Sequence, residues 1–250
     1  MRDDKSVDRR GFLRAVGATG AALAPAAAMA QAQPAAPAVP AIDHSGHDHA
    51  PPAGAAKDSL AGWVFFNPDE LAFVKAALDT LIPPDPTGPG AVEAGCATYM
   101  DRQLSGAYGR GARLYLQGPF AEGTPQQGYQ LPLTPADLIR AGIADVDAYA
   151  LATRKQRLRD LDATTRAAVL SEVDQGKAQL DHVPGGVWFN QFLNLTMEGY
   201  FSDPIYGGNK DKAAWKMIGF PGVPNAYVEK LETFKNRPYT GETRSIQDFG

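Results

Sequence analysis

Two carboxylates in the last quarter of the chain are candidates for an acid/base pair. Glu198 and Asp203 lie five residues apart, and two carboxyl groups that reach the same substrate can share proton transfer. Pro204 follows Asp203, and a residue before proline is confined to extended or turn backbone. An aspartate in that setting typically hydrogen-bonds its own turn. This role for Asp203 is favoured over catalysis.

A second candidate is a histidine cluster near the N-terminus. His44, His47 and His49 alternate with Asp43 and Asp48, and imidazole and carboxylate groups are ordinary ligands of divalent metals. The surrounding residues 31–57 are dominated by alanine and proline, a composition typical of a disordered linker. Because binding a metal there would cost ordering entropy, the pattern favours a solvated linker. The three histidines remain the metal-binding candidates.

The remaining histidine and the single cysteine point away from catalysis. His182 stands beside Pro184, where a lone histidine is more often a surface or hydrogen-bonded residue than a base. Cys96 has no second cysteine to pair with, and its neighbours are small or apolar. We therefore expect Cys96 to be buried and free, although an odd cysteine in an exported protein can also pair with another chain.

Composition and missing motifs narrow the possible functions. The 250 residues are 44% hydrophobic and 21% charged, which is ordinary for a globular protein, and the formal net charge of −4 argues against a nucleic-acid partner. The chain has no dinucleotide fingerprint, no haem-attachment motif, no cysteine set for an iron–sulfur cluster and no nucleophile elbow. We expect no catalytic residue and no cofactor site in this chain.

The N-terminus has the features of an export signal. Arg9 and Arg10 are followed by Phe12 and Leu13, then by an alanine-rich run that ends in a small-x-small cleavage pattern at residues 28–30. The order resembles a twin-arginine (Tat) signal, with Asp8 where serine or threonine is common. We expect residues 1–30 to be this signal, read by the Tat translocase. The alternative is an alanine-rich tail with a chance arginine pair.

Helical signals dominate the remaining residues, 58–250. Asn67, Pro68 and Glu70 form a capping box with proline at the first helical position. Further helices are expected around 92–104, from Thr134 to about 160, over 163–177, over 187–201 and around 210–218. Residues 105–133 are expected to be ordered but irregular, and the C-terminal residues an extended arm. The predicted class is mainly α, an irregular helical domain with long ordered loops and no substantial sheet.

The stretch from Glu198 to Gly222 has the densest set of structurally demanding residues. It combines large aromatic side chains with prolines and with glycines that tolerate a left-handed backbone. We expect a structured loop that contacts a partner, and the preceding helix to be central in the core or shared with another subunit. The candidate interface residues are Trp188, Phe192, Tyr200, Asp203, Tyr206, Trp215 and Phe220.

Four segments of the chain together resemble a known family. They are Leu81-Ile82-Pro83, Gly88-Pro89-Gly90-Ala91, the run EGYFSDPIYGGN at 198–209 and the run WKMIGFPG at 215–222. This combination is similar to the gluconate 2-dehydrogenase subunit 3 family, over roughly residues 65–225. The run at 198–222 is the specific part, and the first two segments support it.

The resemblance implies a non-catalytic, mainly helical small subunit. In such complexes a large FAD-containing subunit oxidises a sugar, sugar acid or polyol, and a multihaem cytochrome c subunit takes the electrons. The small subunit carries the Tat signal and serves folding, assembly and export of the flavoprotein, in a periplasmic complex peripheral to the inner membrane. Two alternatives are a stand-alone periplasmic metal-binding protein that uses the histidine cluster, and an enzyme centred on Glu198 and Asp203.

Overall fold

Seven α-helices joined by ordered loops make up the part of the chain described by the computed structural model, residues 62–121, 123–223 and 228–249. Within these residues the only β-type pairings are two isolated bridges, Asp85 with Gly88 and Gly222 with Arg244. The prediction of a mainly α domain without a substantial sheet is confirmed. The helices are α1 Pro68–Leu81, α2 Cys96–Ser105, α3 Pro135–Arg154, α4 Ala163–Asp174, α5 Gly185–Phe201, α6 Ala213–Ile218 and α7 Val228–Phe234.

Helix α1 begins where the capping box predicts. The Asn67 side chain accepts the backbone N–H of Glu70 at 2.9 Å, and the Glu70 carboxylate accepts the N–H of Asn67 at 3.0 Å. Two of the N–H groups that a helix start leaves unpaired are thereby satisfied. The helix ends at Leu81, before the proline pair at 83–84 that cannot continue it.

Three helix boundaries differ from the sequence prediction. Helix α2 begins at Cys96 instead of near Val92, because Gly95 has a left-handed backbone (φ 82°) that separates the preceding turn from the helix. Helix α3 runs without interruption through Gly142 and ends at Arg154, where Lys155 takes a left-handed conformation (φ 62°). Helix α4 has the predicted Asp162 cap but ends at Asp174, just before Gly176 (φ 66°).

Helix α5 is the centre of the domain. It packs against α2, α3 and α4, and its side chains Trp188, Phe192 and Leu195 are buried. The rings of Trp188 and Phe192 stack at 5.2 Å, and Phe73 of α1 meets Trp188 edge-on at 6.1 Å. The sequence predicts either a central place in the core or a contact shared with another subunit for this helix. The structure places it in the core of its own domain.

Buried carboxylates on the helices hold the irregular segments. Asp101 of α2 is 3% exposed, and its two oxygens accept the backbone N–H groups of Val64, Phe65 and Phe66 at 2.9–3.0 Å. The half-buried Asp147 of α3 accepts the N–H of Leu158 at 2.9 Å. A buried N–H group without a partner costs free energy, so these carboxylates keep the loops in place.

None of the described helices combines the length and the hydrophobicity that crossing a bilayer requires.

The contact between α3 and α5 makes Gly142→Ala a sharp test of the core. A Cβ atom at Gly142 would lie 1.9 Å from Cδ1 of the buried Trp188, so the ring would have to move. Alanine favours a helix over glycine by about 1 kcal/mol, but overpacking a core costs about 1–3 kcal/mol. We expect a lower urea midpoint for Gly142→Ala. Gly62→Ala is the control, because no atom lies within 4 Å of its Cβ position; an unchanged midpoint for Gly142→Ala would contradict this packing.

Candidate partner-binding surface

The stretch from Glu198 to Gly222 folds into the end of α5, two 3₁₀ turns at Pro204–Tyr206 and Lys210–Lys212, and helix α6. Asp203 caps the first turn, since its Oδ1 accepts the N–H of Ile205 at 3.0 Å. The prediction that Asp203 hydrogen-bonds its own turn is confirmed. Gly207 then takes a left-handed backbone (φ 96°), which glycine adopts without strain, and the chain reverses.

Four glycines meet at the point where this stretch crosses the rest of the domain, and we call them the glycine junction: Gly95, Gly199, Gly207 and Gly208. A Cβ atom at Gly208 would lie 2.0 Å from the carbonyl oxygen of Gly199, and one at Gly95 would lie 2.7 Å from the carbonyl oxygen of Gly207. Because these contacts are made to backbone atoms, no side-chain movement can relieve them. The junction therefore requires glycine at 95 and at 208.

Asn209 fixes the loop that leaves the junction. It is fully buried and has a left-handed backbone (φ 45°). Its side-chain amide donates to the carbonyl of Ser202 at 2.9 Å, and its side-chain oxygen accepts the N–H of Ala214 at 2.9 Å. Nearby, the Trp215 indole N–H donates to the Phe201 carbonyl at 2.7 Å. The end of α5 and the start of α6 are thus tied together.

The residues that carried the sequence resemblance converge on this substructure. The Tyr200 hydroxyl donates to the carbonyl of Pro89 at 2.8 Å, and the N–H of Lys210 donates to the carbonyl of Ala94 at 3.0 Å. A Cβ atom at Gly88 would lie 3.0 Å from the sulfur of Met217. Segments more than a hundred residues apart in the chain therefore build one structural unit around the glycine junction.

The C-terminal residues are not an extended arm, which corrects the prediction made for them. The second Asp203 oxygen accepts the N–H of Ile246 at 2.8 Å, and Val223 donates to the carbonyl of Arg244 at 2.8 Å. The Lys212 ammonium pairs with Asp248 at 2.8 Å. A buried aspartate on a distant turn supplies the acceptor that holds this segment, and no local pattern in the C-terminal sequence reveals it.

Apolar side chains are exposed along the outer side of this unit, and we call them the apolar rim. Tyr206 is 50% exposed and Ile218 is 58% exposed. The rim is carried by the 204–223 stretch and by the C-terminal segment bonded to it. Its members are Ile205, Tyr206, Ile218, Phe220, Val223, Ile246 and Phe249. Large apolar side chains exposed on one structural unit make it a candidate protein–protein contact site.

Five of the seven predicted interface residues lie in the domain's own interior. Trp188, Phe192, Tyr200 and Trp215 are at most 5% exposed, and Asp203 is 8% exposed with both oxygens bonded to backbone N–H groups. Their side chains have no free surface for a partner. The interface prediction is therefore narrowed to Tyr206 and Phe220.

The aliphatic members of the rim are not among the interface residues predicted from the sequence. Ile205 lies in the turn at 204–208 and Ile218 directly precedes the turn at 219–222, where an apolar side chain has few neighbours to cover it. Their position next to glycine and proline is the feature of the sequence that could have indicated their exposure.

The two candidate catalytic carboxylates have separate partners. Glu198 is exposed on α5 and accepts the Tyr99 hydroxyl at 3.1 Å, whereas both oxygens of Asp203 accept backbone N–H groups. Burial, together with the negative charge of Glu198, raises the pKa of Tyr99 well above its ordinary value, so this phenol stays protonated. Burial and Glu198 also raise the pKa of Tyr108 to about 12. Each carboxylate is thus held in its own hydrogen-bonding site.

His182 is hydrogen-bonded, as predicted. Its ring nitrogen Nδ1 lies 2.6 Å from Oδ1 of Asp145, whose other oxygen accepts the backbone N–H groups of His182 at 2.8 Å and Val183 at 3.2 Å. Asp145 is 5% exposed, so it is a third buried carboxylate that holds an irregular segment. Its hydrogen bond to the ring and its negative charge raise the pKa of His182.

Of the remaining candidate residues, the structure describes Cys96 but neither the export signal nor the histidine cluster. Cys96 is buried and free, as predicted, and burial raises the pKa of its thiol to about 12, which leaves it unreactive. Among the described residues, no three histidine, cysteine or acidic side chains are grouped to hold a metal. The export residues Arg9, Arg10, Phe12 and Leu13 and the candidate ligands His44, His47 and His49 lie outside the described residues.

Comparison with known proteins identifies one family. The family model described as gluconate 2-dehydrogenase subunit 3 matches residues 68–222. The match begins at the first residue of α1 and ends at Gly222, so it includes the glycine junction and all four segments that converge there. No curated protein and no solved structure gives a significant match to the chain.

The contact between His182 and Asp145 predicts a pH-dependent contribution to stability. Because the pKa of His182 is raised above 6.5 in the folded state, folding is favoured by protonation of the ring. This contribution to the free energy of unfolding is fully present below the pKa of His182 in the unfolded chain. It is lost as the pH rises through the pKa of His182 in the folded protein. We expect the unfolding midpoint of wild type to exceed that of His182→Gln at pH 5.5, and this difference to shrink by pH 8.5. A difference that stays constant across this range would contradict the pairing.

Proposed function

Because the chain belongs to the gluconate 2-dehydrogenase subunit 3 family, we propose that it is the non-catalytic small subunit of a flavin-dependent dehydrogenase complex. The family description itself names a subunit of a dehydrogenase. The observation that carries the proposal is the convergence of distant segments on the glycine junction, which presents the apolar rim on a rigid support. A rigid support lowers the ordering cost of binding a partner.

The contacts of the acidic side chains support a non-catalytic role. Asp203 and Asp101 each use both oxygens to hold backbone N–H groups, whereas Asp145 uses one oxygen for backbone N–H groups and the other for the His182 ring. A carboxylate whose two oxygens are both engaged in this way is poorly placed to accept a proton from a substrate. In this proposal FAD belongs to the large subunit and haem c to a cytochrome subunit, and neither is bound by this chain.

The apolar rim is the proposed contact with the large subunit. It combines an exposed tyrosine with two phenylalanines and several aliphatic side chains, as the centres of protein interfaces do. Two ion pairs lie next to the rim, Lys212 with Asp248 and Arg244 with Glu242. These two pairs give the rim a polar border, and the apolar side chains are expected to supply most of the affinity.

Export is the second part of the proposal. The arginine pair at 9–10 would direct the chain to the Tat translocase, which transports folded proteins, and a flavoprotein bound through the apolar rim would cross with it. The complex would then be periplasmic and attached to the inner membrane through its other subunits. This role gives a reason for an export signal of that type on a chain for which we propose no cofactor.

Truncation of the apolar rim should weaken the complex without unfolding the subunit. Tyr206→Ala and Ile218→Ala each remove a side chain that is at least half exposed, so the unfolding midpoint should stay close to that of wild type. A central interface side chain contributes more than about 1 kcal/mol, so we expect an affinity loss of roughly tenfold for the purified large subunit. The measurement is calorimetry or co-purification from the co-expressed subunits.

The matched control is Leu151→Ala on α3, which removes a side chain that is 43% exposed outside the rim. Trp215→Ala is unsuitable because that ring is 5% exposed, and truncating a buried tryptophan costs about 3–5 kcal/mol of stability. If both rim variants bind the large subunit as tightly as wild type, the rim is not the docking surface. The family assignment would stand in that case.

Replacement of Arg9 and Arg10 by lysine tests the export role. The charge is retained, so a merely electrostatic tail should tolerate the change, whereas the twin-arginine signal should be lost. We expect the co-expressed flavoprotein to remain in the cytoplasm, with at least tenfold less activity in the periplasmic fraction. Active flavoprotein in the periplasm at the wild-type level would refute the escort role and would leave docking through the rim untouched.

A further inference from the structure

The loop from Gly106 to Ala121, which we call the 106–121 loop, exposes a second set of large apolar side chains. It follows α2 and carries Tyr115, which is 80% exposed, with Leu114 at 44% and Phe120 at 37%. Every residue from Ala112 to Phe120 is exposed except Leu116, which is half-buried. Large apolar groups exposed this fully on a protein surface mark a binding site.

The base of this loop is firmly attached. The N–H of Gly109 donates to the carbonyl of Gln103 at 3.1 Å, and the Gly109 carbonyl accepts the N–H of Ala136 from the first turn of α3 at 3.1 Å. A Cβ atom at Gly109 would lie 1.8 Å from the carbonyl oxygen of Leu104, so the base makes tight backbone contact with the end of α2. The exposed residues therefore extend from an anchored turn.

The charged side chains of the 106–121 loop are all positive. Arg110 and Arg113 are exposed, and the sequence from 106 to 121 contains no acidic residue. Among the described residues neither arginine has a carboxylate within ion-pairing distance; Arg110 donates one hydrogen bond to the carbonyl of Ser105. The chain as a whole has a net charge of −4, so this loop is a local positive exception.

We propose that the 106–121 loop binds the headgroup region of an anionic lipid surface. Tyrosine and phenylalanine are suited to the boundary between water and hydrocarbon, leucine adds apolar area, and each arginine near an anionic leaflet gains electrostatic energy. The exposed backbone of residues 112–120 needs water or lipid headgroups as hydrogen-bond partners. The loop should therefore lie at the level of the headgroups and not enter the hydrocarbon. This contact is independent of the proposed role as a dehydrogenase subunit.

The charge pattern favours a lipid surface over a second protein partner. At the apolar rim, basic and acidic side chains are interspersed, and Lys212 and Arg244 are paired with carboxylates. The two charged side chains of the 106–121 loop are both positive, and neither has a carboxylate of the described residues within ion-pairing distance, which complements a surface of phosphate groups. The next acidic residue along the chain is Glu122, outside the described residues. The acidic groups near its base are engaged elsewhere, Asp137 with Thr134 and Glu198 with Tyr99.

Vesicle binding by the purified full chain tests the proposal. The probes are vesicles of phosphatidylglycerol with phosphatidylethanolamine, and vesicles of phosphatidylcholine alone. The arginine-containing N-terminus can itself bind anionic vesicles, so the readout is hydrogen–deuterium exchange resolved by peptide. We expect the anionic vesicles, and not the neutral ones, to protect residues 112–120. Added salt should reduce this protection.

Substitutions separate the apolar and the charged contributions. Tyr115→Ser should lower binding through the loop about tenfold, and Arg110→Gln and Arg113→Gln about fivefold each. The matched controls are Leu151→Ser and Arg237→Gln, which change exposed residues outside the loop and should leave the protection of 112–120 at the wild-type level. All the changed side chains are exposed, so circular dichroism and the unfolding midpoint should match wild type.

Two results would overturn the proposal. One is that anionic vesicles leave residues 112–120 unprotected while the chain is folded. The other is that Tyr115→Ser retains wild-type protection of residues 112–120 by anionic vesicles and instead lowers recovery of a co-expressed protein complex, which would assign the loop to a protein partner. Neither result bears on the export test or on the rim variants, so failure here is distinguishable from failure of the proposed function.

Discussion

A buried carboxylate that accepts backbone N–H groups from an irregular segment is the interaction on which this domain depends. Its described residues include long loops and no sheet that could pair the backbone groups of those loops. Asp101 holds Val64–Phe66, Asp145 holds the turn before α5, and Asp203 holds the C-terminal segment. A buried N–H group left without a partner costs about 1–3 kcal/mol. At Asp101 the bond from Phe66 is buried, and those from Val64 and Phe65 are half-buried.

The same interaction connects the core to the surface proposed for the partner. Helix α5 packs its aromatic face into the domain and then delivers the chain to Asp203, which ties the turn at 204–206 to the C-terminal segment. The glycine junction brings that turn against α2 at backbone distance. The apolar rim is therefore carried by elements that each have a fixed contact with the core, although the residues between them are irregular.

Local signals in the sequence predicted the helices well, and long-range contacts explain the differences. The capping residues Asn67, Thr134 and Asp162 determine helix starts through bonds to residues three positions away, so a short window contains the whole interaction. The C-terminal segment could not be predicted in this way, because the acceptor for Ile246 lies 43 residues earlier. Residue type also did not separate core from surface: Trp215 and Tyr206 belong to the same aromatic-rich run, yet one is buried and the other half exposed.

The contact at Asp101 has a mechanical consequence. A pull on the chain that precedes residue 62 reaches the described fold at Val64–Phe66, where three hydrogen bonds converge on one side chain. The load then passes through Asp101 into α2, which packs on α5. A force applied at the N-terminus is thus shared by three bonds and passed into the two packed helices α2 and α5. Resistance to such a pull is governed by the unfolding rate and not by the equilibrium free energy.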